Sequence, residues 1–402
     1  MLSKGATQDE VRRHNLSALL RQIHVRGALS RAELTEWLGL NRSTVGDLVG
    51  ELVTLGVLRE DLPPHRLGAG RPSPIVRPAS DQVHVLAADI GVESITVATV
   101  GLGGVVIDRT QVDRHRDDAG PAAVAGTIAR AARDLRSRHP GTGRLISVGV
   151  AVAGVVRRRD GLVHFGPNLG WYEVPFGRML ADALVRDIPV FVGNDADVGV
   201  LGEQTRGAAA GRSDVIYLSG DIGVGGGIIL GGRPLDGASG YGGEVGHMIV
   251  NRDSPTLCRC GARGCWETEI GVDALLVRAG HAAGEGRPGV LAVLEEARLG
   301  KPDAVAALEV TGGWLGDGLA SLINVFNPEI VIMGGMLGDI YSASAATVAE
   351  HVARLALSAP RAKVRLELPG LGADSIILGA AELAFGPLLN DPAPTMLAIG
   401  AD

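Results

Sequence analysis

At 402 residues the chain is long enough for two or three domains, each with its own core. Hydrophobic residues make up 46% of it but aromatics only 3%, so the core is drawn from Ala, Val, Leu and Ile, and the 59 scattered glycines suit an α/β scaffold rich in tight turns rather than a collagen-like or low-complexity chain. The net charge of −7 is uneven: residues 1–78 hold 11 Lys/Arg against 8 Asp/Glu and the remainder carries −10, the balance of a small DNA-binding module on an acidic body.

No apolar stretch reaches the roughly 18 residues needed to span a bilayer without a charge; even residues 83–107 contain Asp89 and Glu93. The opening MLSKGATQDEVRRHN lacks an apolar signal core. A cytoplasmic protein with no membrane partner is expected, in a compartment that keeps thiols reduced.

In residues 1–79 three amphipathic segments come first. Thr7 and Glu10 form a capping box before a helix running to about His24, and Ser30 and Glu33 repeat the device for a short helix ending near Trp37. Gly39 permits a sharp turn and Asn41 can cap the next helix, whose Val45, Leu48, Leu52 and Leu55 share one face. Its start and other face offer Asn41, Arg42, Ser43, Thr44 and Asp47 to DNA, groups of the size that reaches base edges and phosphates in a major groove. Gly56 closes it. Two short extended runs around a Pro/Gly loop then read as the wing of a winged helix-turn-helix, with Arg66 and Arg71 placed to enter a minor groove. The alternative is a plain interdomain linker, since a second G-R-P occurs at 286–288 with no such helices before it.

From Val83 the chain alternates apolar strands, glycine turns and helices. VHVLAADIGVESITVATVGLGGVVI reads as two hairpin strands, residues 122–139 as a helix, LISVGVAVAG as a strand, PVFVGNDADVGVLGE as a strand entering a helix, and DVIYLSGDIGVGGGIIL as strand, glycine turn, strand. This theme occurs twice, so two α/β lobes facing a cleft are expected, the first over 80–195 completed by 375–402, the second over 196–374 and carrying the oligomerisation surface.

All three cysteines fall in HMIVNRDSPTLCRCGARGCWE, residues 247–267. Cys258, Cys260 and Cys265 stand at C-x-C-x4-C and His247 precedes them by eleven positions, the ligand set of one structural zinc; Gly261 and Gly264 allow the tight loops it requires. A buried apolar turn, or one disulfide with a thiol left over, is the alternative reading.

GNDAD at 193–197, GEVGH at 243–247, the cysteine run ending at Glu267 and the leading winged helix together resemble the transcriptional regulators of the ROK family, which groups repressors, open reading frames and sugar kinases. The resemblance covers essentially the whole chain. It implies an actin-like, hexokinase-like (ribonuclease H-like) body, a sugar in the interlobe cleft, zinc on His247, Cys258, Cys260 and Cys265, and homodimers or homotetramers. It also implies that Asn168, Asn194, Asp195, Glu244, His247 and Glu267 line the sugar pocket, with Asp195 matching the general base of the kinases. The chemistry agrees, because a ring of hydroxyls is read by carboxylates and amides on rigid supports. Taken alone, Asn194-Asp195 is equally a helix N-cap pair.

The phosphate loops depart from the kinases of that family. Where those carry D-x-G-G-T, this chain has DIGVES, with Asp89 and Gly91 kept but Val92 and Glu93 substituted; Asp221 and Ile222 stand at the Gly-Thr positions of the second loop. A β-branched side chain crowds the turn and carboxylates repel a triphosphate. No bound ATP is expected. The sequence therefore reads as a sugar-responsive regulator, a repressor of carbohydrate-utilisation genes bound to operator DNA with a monosaccharide or sugar derivative as effector; the alternative is an active sugar kinase with an appended DNA-binding domain. Residues 157–160 read as a solvated turn, His24, His84 and His164 as ordinary surface or core histidines, and Trp171 and Trp266 as sugar-stacking or lobe-packing groups.

Overall fold

The computed structural model describes residues 7–61, 73–114, 120–141, 143–184, 188–221 and 223–399. Helix α1 (Gln8–Arg26) begins at the Thr7–Glu10 capping box, and α2 (Arg31–Leu38) at that of Ser30 and Glu33. Gly39, with φ 63°, turns the chain into α3 (Arg42–Thr54), which Asn41 caps. Strand β1 (Leu29–Ser30) and β2 (Leu58–Asp61) both pair with β3 (Ile75–Pro78), antiparallel. Two strands flanking the 62–72 segment are thus hydrogen-bonded to each other, which makes a winged helix rather than a plain linker; Arg66 and Arg71 themselves lie outside the described residues.

The first large sheet contains β4 (Val83–Ile90), β5 (Ser94–Gly101), β6 (Val105–Asp113), β7 (Arg144–Val152) and, after the small antiparallel sheet β8 (Val155–Arg157), β9 (Leu162–Gly166) and β10 (Trp171–Val174), β11 (Val190–Asn194). Its order is β11-β7-β4-β5-β6, so the expected hairpin of two strands is a three-stranded meander. Strand β6 was hidden because its run, VVIDRTQVD, is an exposed edge with only weak alternation. Helices α4 (Pro121–Arg138) and α5 (Phe176–Leu184) cover one face, and α6 (Asp195–Arg206) leaves the sheet directly after β11.

The second sheet repeats the plan. Strands β12 (Val215–Gly220), β13 (Val224–Leu230), β14 (Arg233–Pro234), β15 (Ile330–Gly335) and β16 (Arg365–Glu367) lie in the order β14-β13-β12-β15-β16, with the same antiparallel and parallel pairs as the first. Between β14 and β15 come α7 (Glu267–Ile270), α8 (Val272–Arg278), α9 (Gly286–Arg298) and α10 (Pro302–Phe326); α11 (Met336–Leu355) and α12 (Ser358–Arg361) separate β15 from β16. Helices α13 (Ser375–Asn390) and α14 (Pro392–Ile399) complete the described chain. This duplicated α/β arrangement is the actin-like body expected from the sequence.

Residues 372–390 are apolar and long enough to cross a bilayer by composition, but 56% of that window is buried and it carries Glu382 in an ion pair. Its α13 packs backbone to backbone on α6: a side chain at Gly379 would stand 1.7 Å from the carbonyl of Val198, and one at Gly202 2.4 Å from that of Ser375. The winged helix does not hang on a tether. Leu16, Leu19, Leu20 and Ile23 of α1 share one continuous core with Ala381, Phe385, Leu388 and Leu389 of α13 and Met396 of α14. Fully burying each such side chain contributes roughly 1.5–3 kcal/mol.

Candidate functional site

Strands β4, β11, β12 and β15 point their C-terminal ends into one cleft and deliver Asp89, Asn194-Asp195, Asp221 and Gly335-Met336 to it, the usual position for ligands in open α/β sheets. A cavity of about 330 Å³ there is lined by Asn168, Asn194, Asp195, Glu244, His247 and Glu267. All six residues singled out from the sequence therefore meet.

Their side chains are not equally free. Asn194 is the N-cap of α6: its Oδ1 accepts from the backbone of Ala196 and Asp197 at 2.9 and 3.2 Å, and its Nδ2 donates to the carbonyl of Gly154 at 3.0 Å. The N-cap reading of this residue is correct, and it supports the site by holding the helix start. Asp195 accepts from Ala196 N–H through Oδ1 at 2.8 Å, while its second oxygen has no hydrogen-bond partner among the described residues. Burial pushes Asp195 up to about 7, against the Ala196 N–H that favours its charged form, and the charges of Asp89, Asp221 and Asp197 add to the rise. Asp89 is raised to about 7 as well, by burial and then by Asp221. Burial also raises Glu244 above the usual carboxylate range, partly offset by His247.

Beside this cavity His247, Cys258, Cys260 and Cys265 bring their ligand atoms within 4.8 Å of one another. Cys258 Sγ lies 3.7 Å from His247 Nδ1, and Cys260 Sγ lies 3.7 Å from Cys265 Sγ. Bonds of about 2.0–2.3 Å to a tetrahedral zinc leave neighbouring ligands close to that far apart, so the donor set and spacing fit the metal. All three cysteines are free thiols here. Gly264, with φ 76°, is required: a side chain there would stand 1.9 Å from the carbonyl of Asn251. A metal held on Nδ1 would leave His247 Nε2 facing Glu244, 3.9 Å away. Glu267 joins the cradle to the cleft, accepting from the backbone N–H of Val224 at 3.3 Å and, in the metal-free cradle, from the Cys258 thiol at 2.8 Å, a proton that Cys258 would give up on binding zinc.

At the far end of the cleft Val92, Glu93 and Asp221 line the cavity together with Asp89; Ile222 lies outside the described residues. Asp221 Oδ1 accepts the backbone N–H of Met336 at 3.1 Å and so occupies the N-terminus of α11, the place where a helix offers its free N–H groups to an anion. The glycine run 225–227 packs against α6, with a side chain at Gly227 standing 2.1 Å from the carbonyl of Ala196.

On the winged helix, Arg42, Ser43 and Asp47 are exposed along the start of α3 and Thr44 is half-buried. Asn41 is exposed too, and its Oδ1 accepts from the backbone N–H of Thr44 at 2.8 Å and the hydroxyl of Ser43 at 2.7 Å, so that oxygen shapes the helix start.

The family model for ROK proteins matches residues 85–386. The chain belongs to the ROK family. It is 30% identical over 334 residues to the xylose repressor of Bacillus spizizenii, covering 82% of this chain and 83% of that protein. A solved ROK family transcriptional regulator, homologous to the E. coli MLC protein, superposes with a TM-score of 0.77 at 23% identity over 97% of this chain and 98% of its own. A ROK family glucokinase from Streptomyces griseus, solved with glucose and AMPPNP, gives 0.62 at 30% identity over 75% of this chain and 99% of its own.

Several residues of this ROK body escaped sequence reasoning. Arg259, between two of the cysteines, donates to Asn168 across the cleft; its place inside the cysteine run was the available signal. Arg158 is not a solvated turn residue, since it pairs with Asp197 at 3.1 Å and Asp236 at 2.5 Å. Trp266 is fully buried with its Nε1 donating to the carbonyl of Trp314 at 2.8 Å, and Trp171 is buried against Phe176, so both are lobe-packing groups and neither stacks on a ligand. His24 is a core residue joined to Glu382, a pairing with no local sequence mark.

Proposed function

We propose that this ROK protein is a sugar-responsive repressor of carbohydrate-utilisation genes, cytoplasmic and oligomeric, whose winged helix reads operator DNA and whose body binds a sugar without phosphorylating it. The observation that carries the reading is helix α6. Its first residue, Asp195, faces the cleft, and its last, Arg206, donates to the carbonyl of His24 in α1 at 2.9 Å and to Glu382 at 3.1 Å. A rigid element that ends on the ligand at one side and on the DNA-reading module at the other is what a ligand needs to bias one against the other. The names of the curated relatives support the same role.

Asn168, Asp195, Glu244, His247 and Glu267 hold the sugar hydroxyls, and zinc on His247, Cys258, Cys260 and Cys265 fixes the loops that carry three of them. The metal supplies no chemistry to a reaction here; it orders the cradle. Arg42, Ser43, Thr44 and Asp47, with Arg66 and Arg71 in the wing, contact DNA.

The kinase reading is favoured by Asp195, one carboxylate oxygen of which has no hydrogen-bond partner among the described residues, and by the glucokinases among the relatives. Against it stand the carboxylates at the phosphate end. Asp221 occupies the α11 N-terminus and Glu93 faces the same space, so a triphosphate loses both its positioning and its charge stabilisation. Calorimetry on the full chain is expected to give a sugar isotherm abolished by Asp195→Ala and no heat with ATP and magnesium, and the sugar is expected to change operator affinity. Sugar-dependent ADP release by the wild type, lost in Asp195→Ala, overturns the non-enzymatic reading; operator affinity indifferent to every sugar that binds overturns the regulatory one.

A further inference from the structure

The cleft continues beyond Glu267. A second cavity of about 390 Å³ opens between the cysteine loop and α8, and the two chambers share a wall made of Pro167, Asn168, Gly223, His247 and Glu267. Each chamber alone is at the small end of the ~300–1,000 Å³ range of small-molecule sites, and together they fall well inside it. The second is furnished for a polyol. Arg259 reaches over it, donating to Asn168 of the first lobe and standing 3.7 Å from Asp273 of α8, with Thr268 and Arg278 on the same lining. Leu257 and Val277, 59% and 60% exposed, belong to the same lining. A pyranose ring has hydroxyls at its rim and an apolar C–H face, so a chamber lined by both charged groups and two exposed aliphatic side chains offers partners for both of its surfaces.

The charge of the first chamber narrows the class further. Asp89, Glu93, Asp195, Asp221, Glu244 and Glu267 surround it, and Arg287, the arginine among its lining residues, is paired with Asp339 at 3.1 Å. A zinc held by three thiolates adds no net positive charge. A phosphorylated sugar would enter a field of its own sign.

We infer that the effector is a neutral disaccharide, one ring against Asp195 and Glu244 and the second in the chamber beside α8. The inference rests on the sugar-binding reading of the cleft. Asn168 sits at the junction, where its amide can meet the bridging oxygen or a hydroxyl of either ring, and Arg259 holds its orientation from the far side.

The test is calorimetry on the zinc-loaded full chain with glucose, xylose, mannose, galactose and N-acetylglucosamine, each beside its 1→3- and 1→4-linked homodisaccharides, for the hexoses also the 1→6-linked one, and its phosphate. The tightest ligand is expected to be a disaccharide that exceeds its own monosaccharide by about tenfold or more. Val277→Trp, which fills the second chamber from an exposed position, is expected to remove that advantage while Val277→Ala keeps it. A monosaccharide or sugar phosphate as the tightest ligand overturns the proposal but leaves the sugar site standing, and so does a disaccharide advantage that survives Val277→Trp. Silence from every probe, in the wild type as in Asp195→Ala, removes the sugar reading and the inference with it.

Discussion

His24 Nε2 lies 2.9 Å from a carboxylate oxygen of Glu382, a contact between residues 358 positions apart that joins the DNA-reading module to the last long helix of the body. The backbone N–H of Gly103 donates to His24 Nδ1 at 3.0 Å, so Nε2 carries the hydrogen that Glu382 accepts. Glu382 also accepts from Arg206 at 3.1 Å. Burial works against its charge, but His24 and Arg206 together hold its carboxyl below the usual range.

Glu382→Ala leaves an arginine and an imidazole without their acceptor in a nearly dry site, a loss of about 3 kcal/mol or more. Urea unfolding should show a lower midpoint with little change in slope. Operator affinity with and without sugar should then differ less than in the wild type; an undiminished difference would show that the signal does not cross this junction.

Cys260→Ser removes one of four ligands. Elemental analysis is expected to give about one zinc per wild-type chain and none in the variant. Sugar affinity should fall by roughly 10–100-fold as the loop bearing Glu267 loosens. Normal affinity in the metal-free protein would separate the metal from the pocket.

The pH dependence of stability carries a signature of the carboxylate cluster. Asp195 titrates near 7 when folded against an ordinary 3.8, so the folded state holds the extra proton between those values. Stability therefore falls as pH rises through that window and stays lower above it. Asp195→Asn removes the loss: ligand-free melting temperatures should match the wild type near pH 4 and exceed it by about 2 °C or more at pH 8. A variant less stable than the wild type at pH 8 contradicts this.

For the winged helix, Arg42→Ala should weaken operator binding on all sequences and reduce the slope of log affinity against log salt by about one. Thr44→Ala should leave that slope alone and change base preference. Both are read from titrations at several salt concentrations on operator and scrambled duplexes.

What could be read from the sequence was local. Capping boxes at Thr7 and Ser30 act over three residues, and the candidate metal ligands His247, Cys258, Cys260 and Cys265 fall within 19 residues, the cysteines within eight, so their meeting is readable from spacing. The residues that line the cleft come from distant segments, and their convergence was legible through the family resemblance rather than through any periodicity. Asp221 capping α11 spans 115 residues and left no trace, since a carboxylate after a strand signals neither helix nor partner. Trp266 was ambiguous for a different reason: an aromatic beside a site motif packs inward or outward depending on neighbours, here Trp314, that arrive from another helix.

The shared core of α1 and α13 sets an order of events during synthesis. The winged helix is made before the body, and the α13 and α14 side chains that cover Leu16, Leu19, Leu20 and Ile23 are translated about 300 residues after β3 completes it. At roughly 5–20 residues per second that is an interval of about 15–60 s. Throughout it the nascent module has an uncovered apolar face and no seat on the body. A chain that stops short of α13 would carry the DNA-reading helices yet lack the junction through which a ligand could be felt, so only translation past Glu382 yields a repressor that answers to its effector.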